Sequence, residues 1–189
     1  MRRYGLTYKG RQRGAIMITA LMILLLMTVF GISTMDTNIL EEKMAGNMRD
    51  RNTAFQAAET ALRAGESLVA SWGVLPDVRD SSDSTDTSPL WVLNSADPVT
   101  SNNIPWWGEG ARTLSWWQTN ANVLSGSDKV AGLSDDHQPA YLIELLHPRT
   151  GTLEAAHSLE GADIFMLVTA RGIGQSDSTV VVLQSVYKW

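Results

Sequence analysis

Hydrophobic and polar positions divide this chain into three regimes. Residues 1–14 are polar and basic, Ala15 to Met35 contain no charged residue, and from Asp36 onward apolar positions recur at helical spacing before giving way to alternating stretches near the C-terminus. The uncharged run is 21 residues long. As a helix it reaches about 30 Å, the thickness of a bilayer hydrocarbon core, and is read as a membrane span. Beyond it, Leu40, Met44, Met48, Phe55, Leu62 and Val69 recur at steps of four and seven, with Ala58 and Ala61 filling the same side. This predicts an amphipathic helix that continues to about Ser71 and is stopped by Gly73 and Pro76. Gly46-Asn47 is its weak point, because glycine costs about 1 kcal/mol relative to alanine in a helix interior. Glu59 and Arg63 form an i,i+4 ion pair contributing about 0.2–0.5 kcal/mol on an exposed face.

The last third reads as strands. Ala140–Leu146, Ile164–Arg171 and Thr179–Tyr187 are short, apolar and β-branched, and turn segments such as residues 147–151 and 172–178 separate them; the final two predict a hairpin. The fold class is α+β: a long N-terminal helix, membrane-spanning in its first half, packed on a C-terminal antiparallel sheet of three or four strands. Residues 76–103 are dominated by Ser, Asp, Thr and Asn and predict an exposed loop. The domain division is residues 1–14, a leader; 15–35, the span; 36–71, the amphipathic helix of a head; and 72–189, the rest of that head.

Charge sets the orientation of the span. Arg2, Arg3, Lys9, Arg11 and Arg13 precede it without an acid, whereas Asp36, Glu41 and Glu42 follow it, which keeps the N-terminus cytoplasmic and sends the rest outward. All 20 acids lie after residue 14, so removal of the leader leaves a chain with a formal charge of −10. Nucleic acid is not an expected partner. With no cysteine in the chain, neither a disulfide nor a thiolate metal site can form.

Several residues invite a chemical reading. The Asp spacing in Asp80-Ser81-Ser82-Asp83-Ser84-Thr85-Asp86 suggests calcium, but the twelve-residue loop pattern with central Gly and terminal Glu is absent. His137, His147 and His157 lie beside Asp135, Asp136, Glu144 and Glu154, yet a spacing of ten fits no helical face and no HExxH-type metal site. No nucleophile elbow, phosphate loop or dinucleotide fingerprint occurs. No enzyme activity and no cofactor or metal is expected. Trp106-Trp107 and Trp116-Trp117 are first a candidate core wall between helix and sheet, and otherwise a candidate partner surface or a stacking platform for sugars; Trp72, Trp91 and Trp189 bring the total to seven. Adjacent Trp residues in a strand would point to opposite faces.

Two processing sites compete. Gly31-Ile32-Ser33 has the small-x-small form of conventional signal cleavage, and the apolar run is longer than the 7–15 residues of an ordinary signal. The alternative cut, after Gly14, leaves the apolar helix on the mature protein. Here the chain resembles a known family. Arg11-Gln12-Arg13-Gly14 followed by Ala15-Ile16-Met17-Ile18 looks like a type IV prepilin leader. Glu41-Glu42-Lys43-Met44-Ala45-Gly46-Asn47 and Ala54-Phe55-Gln56-Ala57-Ala58-Glu59-Thr60-Ala61-Leu62 are similar to the N-terminal signature of PilX-type minor pilins, and residues 168–174 and 182–185 also look family-like. The resemblance implies cleavage after Gly14 and N-methylation of Ala15 by prepilin peptidase. It also implies a filament-docking role for position 19, where most pilins carry Glu and this chain carries Thr19. The implied partners are other minor pilins, the major pilin, the peptidase and a PilY-type tip adhesin. The implied location is the inner membrane, with the head periplasmic, and then the pilus filament near its tip. The function that follows is a minor pilin acting in initiation of pilus assembly. A type II secretion pseudopilin and a membrane-anchored or secreted glycan-binding domain are the alternatives.

Overall fold

The computed structural model describes residues 14–79, 87–98, 102–149 and 163–189. The leader through Arg13 and the Asp80–Asp86 run with its calcium question lie outside the described residues, as do Glu154 and His157. Helix α1 runs from Ala15 to Ser71, and the chain divides at Asn47–Met48 into two compact units.

In the first unit α1 is long and apolar enough to cross a membrane: mean hydropathy reaches 2.5 over an 18-residue window, none of it buried in the protein. Hydroxyls within this stretch turn back onto the helix. Thr19 donates to the carbonyl of Ile16 at 3.0 Å, Thr28 to Leu25 at 2.8 Å and Thr34 to Phe30 at 2.8 Å. A polar side chain paired in this way does not present a bare hydroxyl to hydrocarbon.

The second unit packs the rest of α1 on a six-stranded mixed sheet of order β1-β2-β4-β5-β6. Its three long strands are β4 (Ala140–Arg149), β5 (Asp163–Ile173) and β6 (Val180–Lys188), joined in antiparallel fashion as the alternating pattern predicts. Two short strands extend it: β1 (Val78–Arg79) is parallel to β2 (Leu90–Val92), which is parallel to β4. Both lie in the stretch read as loop, because two- and three-residue strands carry no visible alternation and take their register from the edge of β4. β3 (Asn122–Val123) pairs antiparallel with the start of β4.

Alternation along β4 and β5 gives the sheet two buried faces. Tyr141, Ile143, Met166, Val168 and Ala170 face α1, with Ala61, Val69 and Leu90 in the same core. The helix lies close to the sheet. A Cβ on Gly172 would meet the carbonyl oxygen of Ala54 at 2.1 Å and the nitrogen of Ala58 at 2.4 Å, and one on Gly65 would meet Val168 at 2.6 Å. This corrects the expected stripe of large residues. Leu40, Met44, Met48 and Phe55 are exposed, Leu62 is half-buried, and the buried positions are Ala54, Ala57, Ala58, Ala61, Gly65 and Val69. Backbone-to-backbone approach leaves room only for small side chains there.

The β5–β6 hairpin is fastened at both ends of this helical stretch. The Asp50 carboxylate accepts the N–H of Gln175 in the hairpin turn, and the indole N–H of Trp189 donates to the Trp72 carbonyl at 3.2 Å. The lengths match: residues 50–72 rise about 33 Å as helix, and residues 179–189 extend about 33 Å as strand.

Candidate functional site

The other face of the sheet is covered by a tryptophan and arginine layer. Pro105 leads into a 3-10 turn, Trp106–Gly108, and Thr113 caps the seven-residue helix α2 (Leu114–Asn120), its side chain accepting the Trp116 N–H. Each Trp pair therefore sits on a helical turn, where neighbours differ by about 100° rather than 180°. Both members of a pair can approach one cluster. Trp106 and Trp117 are buried and stacked, with centroids 5.4 Å apart and planes at 28°. Trp107 meets Trp106 edge-on at 5.7 Å, and Trp116 meets Trp117 edge-on at 5.9 Å. Trp91, from β2, lies 6.3 Å from Trp116. Aromatic pairs at these separations contribute about 0.5–1.5 kcal/mol each beyond area burial.

Burial changes the candidate surface. Trp106 and Trp117 sit over Ala140 and Leu142 of β4 and are unavailable to a partner, while Trp107 and Trp116 remain half-buried at the margin. Three guanidinium groups lie against the ring faces: Arg79 at 3.7 Å from the Trp91 centroid, Arg112 at 4.2 Å from Trp116 and Arg171 at 5.7 Å from Trp117. Such contacts are favourable because the ring face carries negative potential. Desolvation lowers the pKa of Arg112, opposed by Asp97 and Glu109, and desolvation likewise lowers that of Arg171.

Glu144 anchors the layer from below. It is fully buried, accepting the Asn94 N–H at 2.8 Å on one oxygen and the Trp106 indole N–H at 3.2 Å on the other. Burial raises its pKa, and the two hydrogen bonds partly hold the value down. Asn94 stands in the left-handed region at φ 58°, which the turn can impose on Asn at little cost. Sequence reading set Glu144 beside histidines; its visible signal was different, a lone acid inside the apolar strand Ala140–Leu146.

The remaining candidates do not converge. Both ring nitrogens of His137 face acceptors, Nδ1 the Gly174 carbonyl at 2.8 Å and Nε2 the Asp177 carboxylate at 2.7 Å. Asp135 pairs with Lys129 at 2.7 Å, and the Asp136 carbonyl accepts from Gln118. His147 lies on β4. Among the described residues no group of three or more His, Asp or Glu side chains could hold a metal ion. Asp50 is a structural fastening that the sequence did not mark. The Thr179 hydroxyl lowers its pKa most, assisted by the N–H groups of Gln175 and Ser176 and by His137, against the desolvation that raises it.

At the other end of α1, Gly14 has φ 81° and the helix begins at the next residue, Ala15. Comparison with protein families matches residues 13–63 to the PilX N-terminal model and residues 76–188 to the C-terminal model of the type IV pilus assembly protein PilX. The chain belongs to the PilX family of type IV pilus assembly proteins. Curated proteins and solved structures return no match. The two PilX matches together take in the apolar helix and the strands of the sheet. PilX proteins are structural components of pilus assembly.

Proposed function

We propose that this chain is a minor pilin that acts in initiating pilus assembly, at or near the filament tip. The observation that carries the reading is Thr19, an uncharged residue whose hydroxyl bonds to the Ile16 carbonyl within its own helix. An unpaired acid at the centre of a span costs about 2.5–3.5 kcal/mol on insertion scales, and an acid within a span is retained where a partner charge compensates it. A subunit that enters first has no earlier amino terminus to compensate, so Thr19 costs it nothing.

In this reading residues 1–14 are a leader removed by prepilin peptidase after Gly14, and Ala15 becomes the methylated N-terminus. Residues 15–35 hold the protein in the inner membrane and later in the filament core. Residues 36–71 carry the helix into the head, and residues 72–189 complete it, facing the periplasm before assembly. Trp107 and Trp116, with Arg79 and Arg112 beside the cluster, supply a contact region for other minor pilins, the major pilin or a PilY-type adhesin. Burial of Trp106 and Trp117 argues against an open sugar-stacking platform, and the PilX match favours the pilus over the secretion pseudopilin.

The test is deletion and labelling in cells that make pili. Deletion should sharply reduce filament number, raised expression should give more and shorter filaments, and gold-labelled antibody against the head should mark filament ends. Even labelling along shafts with unchanged filament number on deletion would overturn the proposal.

A further inference from the structure

We infer that the outer edge of β6 is a docking strand, onto which a different subunit of the pilus adds an extended segment; this rests on the minor pilin reading. β6 is the last strand of the sheet and pairs only with β5 among the described residues. Two hydrogen bonds set the alternation along it. The Gly174 N–H donates to Thr179 at 2.9 Å at the turn, and the Trp189 N–H donates to Ile164 at 2.9 Å at the far end. Between these, Val181, Leu183, Ser185 and Tyr187 bond inward, so the N–H and C=O groups of Val180, Val182, Gln184, Val186 and Lys188 point away from β5.

A row of this length is rarely left unprotected in soluble proteins. Edges are ordinarily blunted by proline, bulges, inward charges or very short strands. β6 has none of these: it is nine residues long, contains no proline, keeps one register with β5 throughout, and bears its single charge, Lys188, at its last position. The opposite edge of the sheet, β1, has two residues and offers no such row. Of the side chains beside the open row, Val180, Val182 and Val186 are apolar, while Gln184 and Lys188 are polar. Val180 and Val186 are exposed, at 39% and 60%, and Val186 lies across from Leu167 on the face that also carries Phe165.

An unpaired main-chain row is recognised by an extended strand, whose apolar side chains would meet Val180, Val182 and Val186. Charge selects which chain supplies it. Residues 48–189 hold nine Lys and Arg against seventeen Asp and Glu, a formal charge of −8. Two copies of this head repel, and a subunit with a neutral or basic contact region is favoured over a second copy.

The experiment uses the full-length chain in a deletion strain, with the photocrosslinker benzoylphenylalanine in place of Val180. Irradiation should give one adduct with another pilus subunit, mapped by mass spectrometry to an extended segment. Val186→Pro removes an outward N–H without touching the β5 ladder, and should reduce that adduct about fivefold, as loss of one hydrogen bond's worth of affinity requires. Val186→Lys, which keeps the backbone and charges the edge, should reduce it similarly, and provides the readout if the proline variant does not fold. An adduct between two copies overturns the choice of occupant. Absence of an adduct, or one that survives both substitutions, overturns the docking strand. Unchanged piliation on deletion is the separate result that removes the minor pilin reading itself.

Discussion

Gly172 and Ala54 touch through main chain: a methyl group on the glycine would lie 2.1 Å from the alanine carbonyl oxygen. At this point strand β5 and helix α1 therefore meet with no side chain between them, and the Gly172→Ala variant must separate the two elements there. Overpacking of this kind costs about 1–3 kcal/mol, more where backbone has to move. Gly110→Ala, which meets open space, should change stability little. Chemical denaturation of the two variants in the same detergent tests the contrast; equal effects would remove the close-contact account.

The Asp50 carboxylate has a folded pKa below its ordinary value, chiefly through the Thr179 hydroxyl. A depressed acid contributes stability that is complete above the unfolded value of about 3.9 and is lost as pH falls through the lower folded value. Asp50→Asn should therefore melt lower than wild type at pH 6, with the gap closing below about pH 4. A constant gap from pH 6 to pH 2 would show that the charge is not what fastens the hairpin turn.

For Glu144 the sign is reversed, because burial raises its pKa. The folded state holds its proton longer, so this group lowers stability as pH rises from the ordinary value of about 4.3 through the raised folded one. Glu144→Gln should flatten that part of the pH profile. Glu144→Leu leaves the buried Trp106 indole N–H without an acceptor, at about 1–3 kcal/mol, and also removes the acceptor of the part-buried Asn94 N–H. Tryptophan fluorescence during pH-dependent melting reports both; a Leu variant as stable as wild type would contradict the anchoring role.

Within the aromatic layer, Trp106→Ala and Trp117→Ala should each cost about 3–5 kcal/mol, as truncation of a buried Trp does. The corresponding changes at Trp107 and Trp116 should cost less and should instead weaken co-purification with other minor pilins. Four equal losses of stability would leave this segment as core alone.

Processing offers a test independent of the head. Gly14→Val should leave the leader attached and exclude the chain from filaments, read by the mass of the mature N-terminus. Normal maturation of this variant would shift attention to the site after Ser33.

The long helix and the three long strands were legible because each carries a continuous signal: an uncharged run, a helical period ending at Gly73 and Pro76, and β-branched stretches bounded by turns. The helix-to-sheet contact was not. Ala54, Ala57, Ala58 and Ala61 promote helix wherever they stand, and nothing in their sequence spacing tells that Gly172 lies against them. The Trp pairs were visible as a candidate but not as one cluster, since their meeting depends on two short helical turns and on Trp91 from a three-residue strand. Asp50 was one acid among many on the helix, and its meaning comes from a turn far along the chain.

The fastenings at Asp50 and Trp72 have a mechanical consequence. A load that pulls the β5–β6 hairpin along the helix falls at once on the turn bound by Asp50, on the end bound to the Trp72 carbonyl and on the packed face between them. Bonds at opposite ends of matched elements share such a load in shear, whereas a single fastening would peel open one contact at a time. Single-molecule pulling should therefore find that Asp50→Ala lowers the rupture force of the hairpin from the helix, and that the intact head yields in one step.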